Sequence, residues 1–118
     1  MTIITQSALT TNPTPTLSTQ EIDVELFTFI ERYATNLVRW DLLIFFGRHP
    51  AMRLEAPQVA QHIGRPPRLV QKELDDLVYL GIVRVYQSDG QVQYGLTRST
   101  STRRAVIRMA RDYTPQRI

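Results

Sequence analysis

The chain has 118 residues, a formal net charge of +3 and 42% apolar residues, which suits one domain with a real core and leaves little room for a second. It contains no cysteine, which excludes disulfides, thiolate metal sites and cysteine nucleophiles and fits a reducing compartment. The longest apolar run, Leu42–Phe46, is far too short to span a bilayer, and residues 1–20 lack the basic start and apolar core of a signal peptide, so a soluble cytoplasmic protein with no membrane association is expected.

Residues 1–17 are Thr-rich and uncharged, with Pro13 and Pro15 and no periodicity; they read as a flexible N-terminal tail. The folded domain is expected over residues 18–118. Ser18-Thr19-Gln20-Glu21 has the form of a capping box and places a helix start at Ser18. Ile22, Leu26, Phe29, Ile30, Tyr33 and Leu37 then recur at spacings of three and four, an apolar helical stripe that needs a partner. Asn36 is positioned to cap a second helix through Val38, Trp40, Leu42, Leu43, Phe45 and Phe46. That segment is apolar nearly all round and belongs at the domain centre. It is expected to end at Gly47, with Pro50 unable to continue it.

Met52-Arg53-Leu54 reads as a short extended piece, and Pro57 suits the first turn of the next helix. Val59, Ala60 and Ile63 form the buried face of that short helix, and Gly64 follows where the chain must turn sharply. A second helix over residues 66–80 begins at Pro66-Pro67, with Val70, Leu74, Leu77 and Val78 as its inner face and Gly81 as its stop. Residues 82–96 read as a hairpin: Ile82–Tyr86 alternates, Ser88-Asp89-Gly90 is a turn signal, and Val92–Leu96 returns. Thr102–Tyr113 looks helical, with Ala105, Val106, Met109, Ala110 and Tyr113 on one side and Arg103, Arg104, Arg108 and Arg111 largely elsewhere. The expected fold class is mainly α with one small β-hairpin.

Charge is unevenly spread. Residues 1–64 carry −2, residues 65–83 carry 0 and residues 84–118 carry +5, and 13 of the 14 basic residues are Arg. A basic C-terminal third is suited to phosphates, or is simply a solvated helix face. His49 and His62 are the only histidines, and neither has a metal-ligand spacing with nearby acids. There is no Gly-rich phosphate loop. Tyr33, Trp40, Phe45 and Phe46 read as core, although they could line an effector pocket. Neither an enzyme nor a bound metal or cofactor is expected.

Ala60, Gly64, Val70, Leu74, Leu77, Gly81, Ile82 and Val83, followed by a hairpin, give the chain a pattern that resembles winged helix-turn-helix transcriptional regulators of the arsenic-repressor and multiple-antibiotic-resistance-repressor type. The likeness covers about residues 38–97, and the flanking helices match that family's habit of dimerising through terminal helices. The resemblance implies a winged helix-turn-helix with additional N- and C-terminal helices, double-stranded DNA as partner, and helix 66–80 as the reader of the major groove.

The residues it points to are Arg65, Pro67, Arg68, Gln71, Lys72 and Arg84. Arg68 would fork onto guanine and Gln71 would pair with adenine. Lys72, Arg65 and Arg84 would reach phosphate. Ile22, Leu26, Phe29, Tyr33, Val106, Met109 and Tyr113 are the expected homodimer interface, placing two reading helices about 34 Å apart; alternatively both helices complete the core of one chain. Some residues instead suit a winged helix that binds protein within a larger assembly: the acidic wing tip at Asp89, Pro66 where a capping hydroxyl is usual, and Leu69 where readers are often polar.

Overall fold

The computed structural model describes residues 14–113, and the side chains of residues 24–113. Five helices and one hairpin follow in the order α1 (Thr14–Tyr33), α2 (Leu37–Arg48), α3 (Ala56–Ile63), α4 (Pro67–Tyr79), β1 (Val83–Ser88), β2 (Gln91–Leu96) and α5 (Thr100–Tyr113). No helix among the described residues is long and apolar enough to cross a membrane.

The first helix begins at Thr14, ahead of the cap expected at Ser18, so Thr14–Leu17 belong to the helix and not to a tail. Pro15 does not oppose this start, because first-turn N–H groups have no intrahelical acceptor to lose. The rest of the expected tail, residues 1–13, lies outside the described residues. Asn36 caps α2 as its position suggests: its side chain accepts from the Arg39 amide at 2.8 Å.

The centre of the molecule is α2, with Leu42, Leu43, Phe45 and Phe46 all buried. One side of it lies along α5, the other against α3, α4 and β2. Gly47 does not end this helix, which continues to Arg48. Its role is in packing. A Cβ there would overlap the Val106 carbonyl oxygen of α5 and come within 2.6 Å of the Ala110 Cβ. The missing side chain is what lets the two helices cross so closely.

The turn between α3 and α4 is made by Gly64 in the left-handed conformation (φ 69°). The amides of Gly64 and Arg65 both return to the Ala60 carbonyl. Helix α4 ends similarly: Gly81 (φ 80°) donates to Val78 and Ile82 donates to Leu77 at 2.9 Å, the paired closure of a Schellman motif. Val70, Leu74 and Leu77 are fully enclosed and seat α4 on the core.

Strands β1 and β2 pair antiparallel, from Val83 opposite Leu96 to Ser88 opposite Gln91. Asp89 and Gly90 form the two-residue loop, both with positive φ (52° and 78°), the requirement of a type I′ turn. Leu54 exchanges two backbone hydrogen bonds with Tyr94, at 3.1 and 2.7 Å. The extended piece expected at Met52–Leu54 is thus a one-residue third strand at the edge of the hairpin.

Candidate nucleic-acid interface

Helix α4 is amphipathic, and its outward face begins at Pro67 and Arg68. Both are exposed, and Arg68 makes no hydrogen bond or ion pair among the described residues. One turn on, Lys72 is exposed and pairs with Asp76 at 3.1 Å. Gln71 is half-buried, and its Nε2 donates both to Asp75 Oδ1 at 3.0 Å and to the Tyr94 hydroxyl at 2.9 Å. Arg65, in the turn, pairs with Asp41 of α2 at 2.8 Å. Arg84 is exposed on β1, 5.4 Å from the centre of the Tyr86 ring. Arg65, Pro67, Arg68, Gln71 and Lys72 therefore gather on α4 and the turn before it, while Arg84 stands apart on the wing.

The acids of α4 do not share that face equally. Glu73 is turned inward and is 8% exposed. Its Oε1 accepts from Arg39 Nε at 2.9 Å and its Oε2 accepts from Asn36 Nδ2 at 3.0 Å. Asp76 receives Arg39 Nη2 at 3.2 Å as well as Lys72. Arg39 of α2 thus reaches two of the three acids from behind; Glu73 is withdrawn from the outward face, while Asp76, shared with Lys72, and Asp75 remain beside it.

Local spacing does not disclose three residues of this arrangement, Arg39, Asp41 and Tyr94. Arg39 stands 34 positions before Glu73, beyond the reach of any local spacing rule. Tyr94 reads as an ordinary strand residue, yet its hydroxyl ties the wing to Gln71. Leu69 is 46% exposed and Tyr79 is 89% exposed, so α4 also carries apolar surface. His49 and His62 are exposed, and both rings pack against Phe45. Among the described residues no three metal-ligating side chains come together.

The terminal helices take the second of the two arrangements expected of them, completing the core of one chain. Leu26, Val106 and Met109 are 3%, 0% and 0% exposed in the single chain, so they close its own core and have no surface left for a second copy. Phe29 and Tyr33 are half-buried and in ring contact. Tyr113 is 36% exposed and meets Trp40 edge-on. The side chain of Ile22 lies outside the described ones. The apolar surface that α1 does present is Val24 and Phe27, 63% and 53% exposed.

No family model matches the chain, and a comparison with curated proteins finds no relative. Solved structures do match. HlyU from Vibrio cholerae superposes with a TM-score of 0.61 at 16% identity, over 79% of this chain and 97% of that one. The transcriptional repressor BigR from Xylella fastidiosa gives 0.62 at 17% identity, over 85% and 98%. The homodimeric winged helix-turn-helix DNA-binding domain of a possible ArsR-family regulator from Mycobacterium bovis gives 0.53 at 12% identity, over 84% and 94%. The described chain has the winged helix-turn-helix fold of these structures, mainly helical with a two-stranded wing.

Proposed function

We propose that this chain is a sequence-specific, DNA-binding transcriptional regulator, and not an enzyme, that works as a homodimer in the cytoplasm. In this reading α4 lies in the major groove, Arg68 and Gln71 meet base edges, and Lys72, Arg65 and Arg84 meet phosphate. Pro67 fixes the start of the helix against the backbone.

The observation that carries the proposal is the polarity of α4. Its acid Glu73 is turned inward and held by Arg39, Asp76 is shared between Arg39 and Lys72, and Arg68 stands unpaired among the described residues on the outward side. A helix seated so firmly and facing outward with cations is suited to a polyanion. Double-stranded DNA also suits the fold, since the superposed Mycobacterium bovis domain is described as DNA-binding and homodimeric. The second copy is expected on the Val24–Phe27 side of α1, with Phe29, Tyr33 and Tyr113 beside it.

Selection from a random duplex pool at two salt concentrations tests this reading. Enrichment of a palindromic site, with affinity falling steeply as salt rises, is the expected result. Arg68→Ala should weaken binding without unfolding the chain. Absence of retention even at low salt would favour a protein-binding winged helix, for which Asp89 at the wing tip and the exposed Leu69 are the supporting features.

A further inference from the structure

A second cluster of arginines lies away from α4. The loop after α2, the floor of the wing and the start of α5 border an open concavity of about 440 Å³, lined among others by Met52, Arg53, Tyr86, Gly95, Arg98 and Arg103. Three of its walls carry a guanidinium, and no acid lines it. None of the three arginines has an ion pair among the described residues. Arg53 lies over the Tyr86 ring at 3.8 Å. Arg103 spends one N–H on the Thr97 carbonyl at 3.2 Å and keeps the rest of its fork.

The floor of the concavity depends on Gly95. A Cβ there would stand 3.2 Å from both the Met52 carbonyl and the Tyr86 ring and 3.5 Å from Arg53. The bare backbone at this point lets ring and guanidinium close down over the strand.

A solvated basic face spreads its charges apart. Here three cations from separate segments line one hollow with no acid among them, an arrangement that a multiply charged anion would complement. The volume falls within the range of small-ligand sites. The guanidinium fork matches carboxylate and phosphate oxygens, and the Tyr86 face supplies an apolar wall. We infer that this hollow is a binding pocket for a small polyanion, a polycarboxylate or phosphate ester, held by Arg53, Arg98 and Arg103. It lies outside the α4 reading face and does not depend on that face contacting DNA.

The test follows the arginine Nε–H signals by NMR while citrate or pyrophosphate is added to the intact chain at constant ionic strength, with chloride as control. Saturable shifts confined to Arg53, Arg98 and Arg103, with a midpoint of about 1 mM or tighter, are expected. Arg98→Ala and Arg103→Met should each weaken that midpoint about tenfold, the worth of one charge-assisted hydrogen bond. Circular dichroism checks that both variants keep their helices. Shifts shared by Arg48, Arg104 and Arg111, or no saturation, would overturn the pocket. So would a random duplex that moves the same three signals and is displaced by citrate, since the arginines would then be holding DNA backbone. The titration uses no DNA in its first arm, so it can fail while DNA binding stands, and the reverse.

Discussion

Replacing Gly47 by Ala tests the packing of α2 on α5. On propensity alone the change should stabilise, because Ala is favoured over Gly inside a helix by about 1 kcal/mol. The structure predicts the opposite sign. The new methyl would overlap the Val106 carbonyl and lie 2.6 Å from the Ala110 Cβ, about 1 Å inside ordinary carbon–carbon contact. Val106 and Ala110 are both buried (0% and 3% exposed), and one of the clashing atoms is backbone, so rotamer changes cannot relieve it. The helices must part, and overpacking of this kind reaches about 3 kcal/mol at the upper end of its usual range. Set against the propensity gain, the net loss is about 2 kcal/mol, or a Tm lower by about 10 °C in a domain this size. Urea and thermal unfolding followed by circular dichroism measure it. A Tm unchanged or raised would mean that α2 and α5 do not meet at Gly47, and the packing argument would be wrong.

Arg39→Ala leaves the buried Glu73 with only Asn36 and the more distant Lys72, 3.9 Å away, and should cost about 2 kcal/mol, while Arg39→Met combined with Glu73→Leu should recover most of it; urea midpoints compare the two. Tyr94→Phe removes the hydroxyl that receives Gln71, with a loss of about 1 kcal/mol in stability and a changed base preference in the duplex selection. Asp89→Asn keeps a residue that tolerates positive φ, so Tm should hold, whereas duplex affinity should rise as the acidic wing tip is neutralised; an unchanged affinity would show that the tip does not approach phosphate. Phe27→Glu should shift sedimentation toward the 13.6 kDa single chain, and no shift at micromolar concentration would move the proposed dimer face elsewhere.

Much of the fold could be read from local patterns, because local patterns are what decide it. Gly64 and Gly81 sit where the backbone needs positive φ, and Asp89-Gly90 is the residue pair a type I′ turn selects. The inner face of α4 follows from the spacing of Val70, Leu74 and Leu77. Gly47 was harder, since a glycine near a helix end looks the same whether it stops the helix or admits a neighbour. Only the crossing of α5 decides between these. The terminal helices show the same limit: the stripe containing Leu26 announces that the helix must be covered, but not by what, and in the fold α5 of the same chain covers it. At the candidate interface the exposed residue types were legible from α4 alone. Their internal partners were not, since Arg39, Asp41 and Tyr94 come from elsewhere in the sequence.

Those partners have a consequence for selectivity. Gln71 is held by Asp75 and Tyr94, Lys72 by Asp76 and Arg65 by Asp41. Of the polar groups that the proposed reading would use, only Arg68 and Arg84 lack a resting hydrogen bond or ion pair among the described residues. Contact with DNA is then an exchange of bonds, and its gain is the difference between the new partner and the old one. A base that offers Gln71 a good bidentate pair returns what the exchange gives up; a mismatched base leaves the deficit standing. The resting contacts would thus act as a threshold, lowering affinity for arbitrary sequence more than for a matched site.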